Sequence, residues 1–304
     1  MTGPSSLPPA LDGPTSSLVD DRAGRIELYG PAQADSPDLH PVVLIHSVNA
    51  AASAYEMRPL FERVGPTRPT YALDLPGFGR SDRSARRYDI RLMTDAVHAA
   101  VDWVRRRHDQ RPVDAIALSL SCEFLARAAD ESPAAFRNLA LIAPTGMSGA
   151  RRFDGADGTN RGNDTVHAVF ALPGVGSSMF WLLTRPRVVR YFLRRTYGRA
   201  EIDEGMWRYA VETAAQPGAF RAPLWFLSAH LFSADITRVY ERLDAPVWVT
   251  HGTRGDFVDY RGADPLLARD NWSGKVFDSG ALPHFEHPDA FVEAYLEFLH
   301  EAAQ

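Results

Sequence analysis

The chain has 304 residues, 45% of them hydrophobic and 23% charged, with a net charge of −5 and a pI near 6.1. That balance does not suit a nucleic-acid partner, and the apolar fraction is ample for a large buried core. A single cysteine, Cys122, excludes an internal disulfide and a cysteine metal cluster, and no run reaches the roughly 20 apolar residues that a membrane span needs.

Residues 2–17 are rich in Pro, Gly, Ser and Thr and lack the basic start and apolar stretch of a signal peptide. They predict a flexible tail over 1–20 and a cytoplasmic protein. Arg25–Gly30 alternates and then turns, as an early strand does. Val42–His46 is a continuous apolar run, the mark of a strand buried on both faces of a parallel sheet. A loop of small residues, Ser47–Ser53, leads to a helix over Tyr55–Val64. Tyr71–Asp74 is a short strand that ends in the glycine-bearing loop Leu75–Asp82, and Ile90–Arg107 has helical spacing.

The next stretch is the most informative. Val113–Leu118 reads as a strand, and Ser121–Ala129 reads as a helix. Between them Ser119 is flanked at two residues on either side by Ala117 and Ser121. That spacing suits a nucleophile elbow, a turn too tight to carry bulk beside the serine. An ordinary strand-to-helix turn with a capping serine is the plainer alternative. Cys122, just beyond, reads as a small packing residue. Glu123 in the first helical turn suits the helix dipole, with a role in orienting a histidine as the sharper alternative. A further strand covers Leu139–Ala143.

From 149 to 233 the pattern changes. A polar, glycine-rich stretch precedes five apolar helical segments, with no strand evident. They read as a helical insertion over the sheet. Its aromatic residues, Phe180, Trp181 and Trp225 among them, suggest an apolar substrate cavity, against the simpler expectation that they pack the insertion on itself. Strands resume at Pro246–Gly252 and Lys275–Asp278, and Asp289–Ala303 is a terminal amphipathic helix. The alternation predicts an α/β protein with a doubly wound, mostly parallel sheet, its core formed by 21–148 and 234–304 and its insertion by 149–233.

The order of motifs resembles the α/β-hydrolase family. The matching pieces are Ile45-His46-Ser47, the loop Asp74-Leu75-Pro76-Gly77-Phe78-Gly79-Arg80-Ser81, the elbow at Ser119, Pro246–Gly252 with its acidic loop, and Gly280–Pro288. The insertion falls where the family carries its lid. The resemblance implies Ser119 as nucleophile, activated by an adjacent base. It implies an oxyanion hole from the N–H groups of Val48 and Leu120, with the Asn49 side chain as an added donor. The acid is implied at Asp256, with Asp259 as a second candidate because the loop is one residue longer than usual. No metal and no cofactor are implied.

One position departs from the family pattern. Ala281 stands where the family writes its catalytic histidine. His284, three residues on, is the preferred replacement. His287 is next, and His46, His251, His167 and His230 read as loop-shaping or packing residues. The leading expectation is a serine hydrolase acting on a small or medium apolar ester or related acyl substrate, with carbon–carbon bond hydrolysis open. A degenerate hydrolase-fold protein that binds an apolar small molecule is the alternative. A peripheral membrane role for Val169–Leu183 and the basic Arg185–Arg195 is a third expectation.

Overall fold

The structure, a computed structural model, describes residues 7–31 and 39–303. Eight strands form one sheet in the order β1-β2-β4-β3-β5-β6-β7-β8. They are β1 (Thr15–Asp20), β2 (Gly24–Tyr29), β3 (Val42–Ile45), β4 (Thr70–Asp74), β5 (Val113–Leu118), β6 (Phe136–Ile142), β7 (Val247–Gly252) and β8 (Trp272–Phe277). β1 and β2 run antiparallel at one edge, and β3 to β8 are parallel. Every residue of β3, β4 and β5 is buried, as a sheet covered by helices on both faces requires.

The covering helices are α1 (Arg58–Val64), α2 (Ile90–Arg105) and α3 (Ser121–Glu131) among those that follow the early strands. The connection from β3 runs outward to β4, and the chain then crosses back to β5. Right-handed crossovers in opposite directions put α1 and α2 on opposite faces. The strand order therefore reverses between β3 and β5. Loops leaving the carboxyl ends of these two strands open a crevice there, and such crevices are where doubly wound sheets bind ligands.

The amino-terminal expectation is corrected over 7–20. Leu7, Ala10 and Leu11 are buried, Tyr209 Oη donates to Pro8 O at 2.8 Å, and β1 pairs along its whole length with β2. Three scattered apolar side chains among prolines gave no periodic signal. The remainder of that segment, 1–6, lies outside the described residues.

Between β6 and β7 come α4 (Asp164–Ala171), α5 (Val175–Leu183), α6 (Pro186–Tyr197), α7 (Glu204–Ala214), α8 (Arg221–Leu227) and α9 (Ile236–Arg242). Among the described residues this segment holds no strand, only a bridge between Asn160 and Ser233. The segment enters and leaves over α3. Glu123, fully buried, accepts from Thr145 Oγ1 at 2.5 Å, from Arg161 at 2.9 Å and from the Ser233 N–H at 2.7 Å. Arg127 donates to Asp235 at 2.5 Å, and Asp235 accepts from the Gly158 N–H at 2.7 Å. α3 thus clasps both ends of the helical segment. No residue of α4 is buried, and α5 buries only Gly176 and Phe180. No single described helix is long and apolar enough to cross a membrane; α4 and α5 reach that threshold only as a pair bent by 94°.

The chain closes with α10 (Asp264–Leu267), α11 (Pro283–Glu286) and α12 (Pro288–Glu301), the last packed on α1.

Candidate active site

Ser119 occupies the turn between β5 and α3 with φ +56°, a left-handed conformation that glycine adopts freely and serine does not. The strain is about 1 kcal/mol and is held by the surroundings. The Ser119 N–H donates to Ile142 O at 2.8 Å. Ala117 and Ser121 are fully buried, which explains why neither is bulky. Ser121 does more than fit, because its Oγ donates to His46 O at 2.5 Å and joins the elbow to the loop after β3. Cys122 is buried and its thiol is pushed well up by desolvation, so it packs rather than reacts.

The loop after β3 is built around three buried polar groups. His46 spans two loops, with Nδ1–H donating to Ser47 O at 2.6 Å and Nε2 accepting the Leu75 N–H at 3.0 Å. Asp74 accepts from Tyr29 Oη, the Ala54 N–H and the Arg80 N–H, at 2.7, 2.8 and 2.8 Å. Gly79 is required beside it, since at φ +48° a Cβ would lie 2.0 Å from the Asp74 carboxyl carbon. Glu56, in a short turn of helix over Ala54–Met57, accepts the Ser47 N–H at 2.8 Å and Asn49 Nδ2 at 2.8 Å. Asn49 also donates to Ser47 Oγ at 3.0 Å and accepts the Ala51 N–H at 2.7 Å. Its amide therefore shapes the loop and is not free as an added ligand donor.

Ser119 opens into a cavity of about 210 Å³ that Val48, Leu120, Glu56, Thr145, Phe226 and Ala281 also line. A larger, mostly apolar chamber of about 390 Å³ adjoins it, walled by Leu183, Val189, Phe192, Leu193, Met206 and Leu227. Asn49, Glu56, Leu193, Thr196, Met206 and Phe226 face both. Val48 and Leu120 thus flank Ser119, and neither N–H is used in another hydrogen bond among the described residues.

The other expected partners are not brought to Ser119. His284 is fully buried, donates Nε2–H to Glu56 O at 2.8 Å, and its Nδ1 has no partner. Burial pulls its pKa down to about 4. Pro283 starts α11 at once, and the first turn directs His284 inward against Phe285 and Phe291. Asp256 lies on the surface at the mouth of the larger chamber, gripped by Arg195 at 2.6 and 2.8 Å, which holds its carboxyl below the usual range. Asp259 is bound by Arg261 and Ser148. His251 stacks on Tyr260 at 4.0 Å, and His287 donates to Asp278 O at 3.0 Å. None of the chain's ten histidines lines the Ser119 cavity.

The expected pocket aromatics also lie elsewhere. Phe180 packs in a small satellite cluster with Ala214 and Ala219, Trp181 is 60% exposed, and Trp225 stacks on His167 at 3.5 Å in an outer groove. Part of the chamber wall is one face of α6, Val189, Phe192, Leu193 and Thr196, whose helical spacing was the available signal. Glu56 was missed because a lone glutamate near a helix start normally reads as surface.

The profile of the alpha/beta hydrolase family matches residues 42–294, and the chain belongs to that family. Among solved structures it is similar to carboxylesterase CesB from Bacillus subtilis, at TM-score 0.66 and 15% identity over 94% of this chain and 92% of that one. It is similar to 2-hydroxy-6-oxo-6-phenylhexa-2,4-dienoate hydrolase from Rhodococcus sp. strain RHA1, at TM-score 0.68 and 18% identity over 94% and 100%. A bacterial membrane phospholipase A has TM-score 0.70 and 19% identity over 96% and 87%. These likenesses establish the shared fold. Comparison with curated protein sequences gives no match. By family the protein is a hydrolase.

Proposed function

We propose that the protein hydrolyses a small or medium acyl substrate with an apolar chain, with Ser119 as the attacking group. The observation that carries this reading is the strained φ of Ser119 in a cavity that adjoins an apolar chamber. In the reaction Oγ attacks the acyl carbonyl, the new oxyanion lies against the Val48 and Leu120 N–H groups, and the leaving group departs with a proton. Water then cleaves the acyl-enzyme. The chain occupies the α6–α7–α8 chamber. This chemistry proceeds without a histidine base, so its rate rests on the oxyanion donors and on binding, which alone give about 10³–10⁴ over water.

Ala281, in the same cavity as Ser119, favours a second reading, that of a hydrolase-fold protein that retains an apolar ligand and turns it over negligibly. Intact-mass analysis after treatment with an alkyl fluorophosphonate separates the two. One adduct per chain, absent from Ser119→Ala, supports the nucleophile. An unlabelled wild type that still binds an apolar probe supports the second reading. Ala281→His is expected to raise the labelling rate up to about a hundredfold, the contribution of a positioned general base.

A further inference from the structure

Glu56 is about nine-tenths buried and faces both the Ser119 cavity and the apolar chamber. It has no cationic partner within 4 Å among the described residues. The two groups bonded to its carboxylate, the Ser47 N–H and the Asn49 amide, are neutral. Both oxygens act as acceptors, as in an ionised carboxylate, and about two of its lone-pair sites are unused. The one arginine at the chamber, Arg195, is already committed to Asp256 through both oxygens. The imidazole that bonds the Glu56 carbonyl, His284, is kept neutral by burial. Buried charges are ordinarily paired, and this carboxylate lines the two adjoining cavities instead of a packed core.

Its position adds a second consideration. Glu56 holds Ser47, the residue before the Val48 N–H. A bare carboxylate there opposes the negative charge that a tetrahedral intermediate would develop on the same loop. A cation carried by the ligand would satisfy the carboxylate and remove that opposition.

We propose that the site takes substrates with a protonated amine between the reacting carbonyl and the apolar group, that is, esters of apolar α-amino acids. The ammonium donates to Glu56, the carbonyl lies over Ser119, and the side chain enters the chamber walled by Leu193 and Met206. The inference rests on the acyl-cavity reading and narrows its substrate class.

The test is calorimetric binding of three alcohols with one skeleton: phenylalaninol, 3-phenyl-1-propanol and N-acetylphenylalaninol. Only the first is a cation. The wild type is expected to bind phenylalaninol at least about tenfold more tightly than either neutral compound, the scale of one charge-assisted hydrogen bond. In Glu56→Gln that preference should vanish, whatever the change in the absolute affinities of the three alcohols. Equal or tighter binding of the neutral alcohols by the wild type overturns the inference and leaves the apolar chamber standing. If none of the three binds, the inference and the acyl-cavity reading both fall. The wild-type comparison decides the matter even if Glu56→Gln does not fold.

Discussion

At Ser119 the backbone accepts a conformation that serine disfavours, and two small buried neighbours make room for it. That much was legible, because tight turns demand small side chains at fixed spacing. The partner histidine was not. Three residues along the chain from Ala281 to His284 can turn a side chain toward the cavity or away from it, and Pro283 decides for the second by starting a helix. His284 then has a structural role with a measurable consequence. Its folded pKa of about 4 lies below its unfolded value of 6.5, so the folded protein refuses a proton that the unfolded chain accepts. Stability is therefore full above pH 6.5 and declines as the pH falls toward 4, by about 3 kcal/mol. Chemical denaturation at pH 7.5 and at pH 4.5 should show this decline in the wild type and not in His284→Gln, which keeps a donor for Glu56 O. An equal decline in both would assign the acid sensitivity elsewhere.

Among the elements, the central parallel strands β3 to β5 were the easiest to read, because burial on both faces favours a mostly apolar run. The helical segment was legible as helices but not as a surface. Composition does not say which aromatic side chains face the chamber, whereas the α6 residues that line it, Val189, Phe192, Leu193 and Thr196, recur at three- and four-residue intervals along one face. Glu123 explains how the segment is attached. Removing its carboxylate leaves Arg161 and the Ser233 N–H without their shared acceptor. Glu123→Ala should destabilise the protein by about 3–5 kcal/mol, the cost of breaking a buried pair. Limited proteolysis should then cut first within 149–163. A variant that melts with the wild type and resists protease there would show that the clasp is not what holds the segment.

For the whole molecule, the reversal of strand order between β3 and β5 places the elbow beside the loop that bears Val48 and Glu56. The order of motifs along the chain anticipated this meeting, since each loop follows a strand at the same edge of the sheet. The amino-terminal strand escaped notice because its alternation is weak and its neighbours are prolines. The loop after β4 is held from several sides by Asp74, so Gly79→Ala, which drives a Cβ into that carboxylate at a positive φ, should lower the melting temperature by several degrees or abolish folding. An unchanged melting temperature would mean that this loop yields easily.

In the proposed reaction Ser119 attacks without an imidazole base. The most direct measurement is the rate of Ser119 modification by an alkyl fluorophosphonate between pH 5.5 and 9, followed by mass. The wild-type rate should rise steadily with hydroxide concentration and show no inflection in the histidine range, whereas Ala281→His should acquire one. A wild-type profile that levels off with an apparent pKa between about 6 and 7 would contradict the account, because it would place a working histidine beside Ser119.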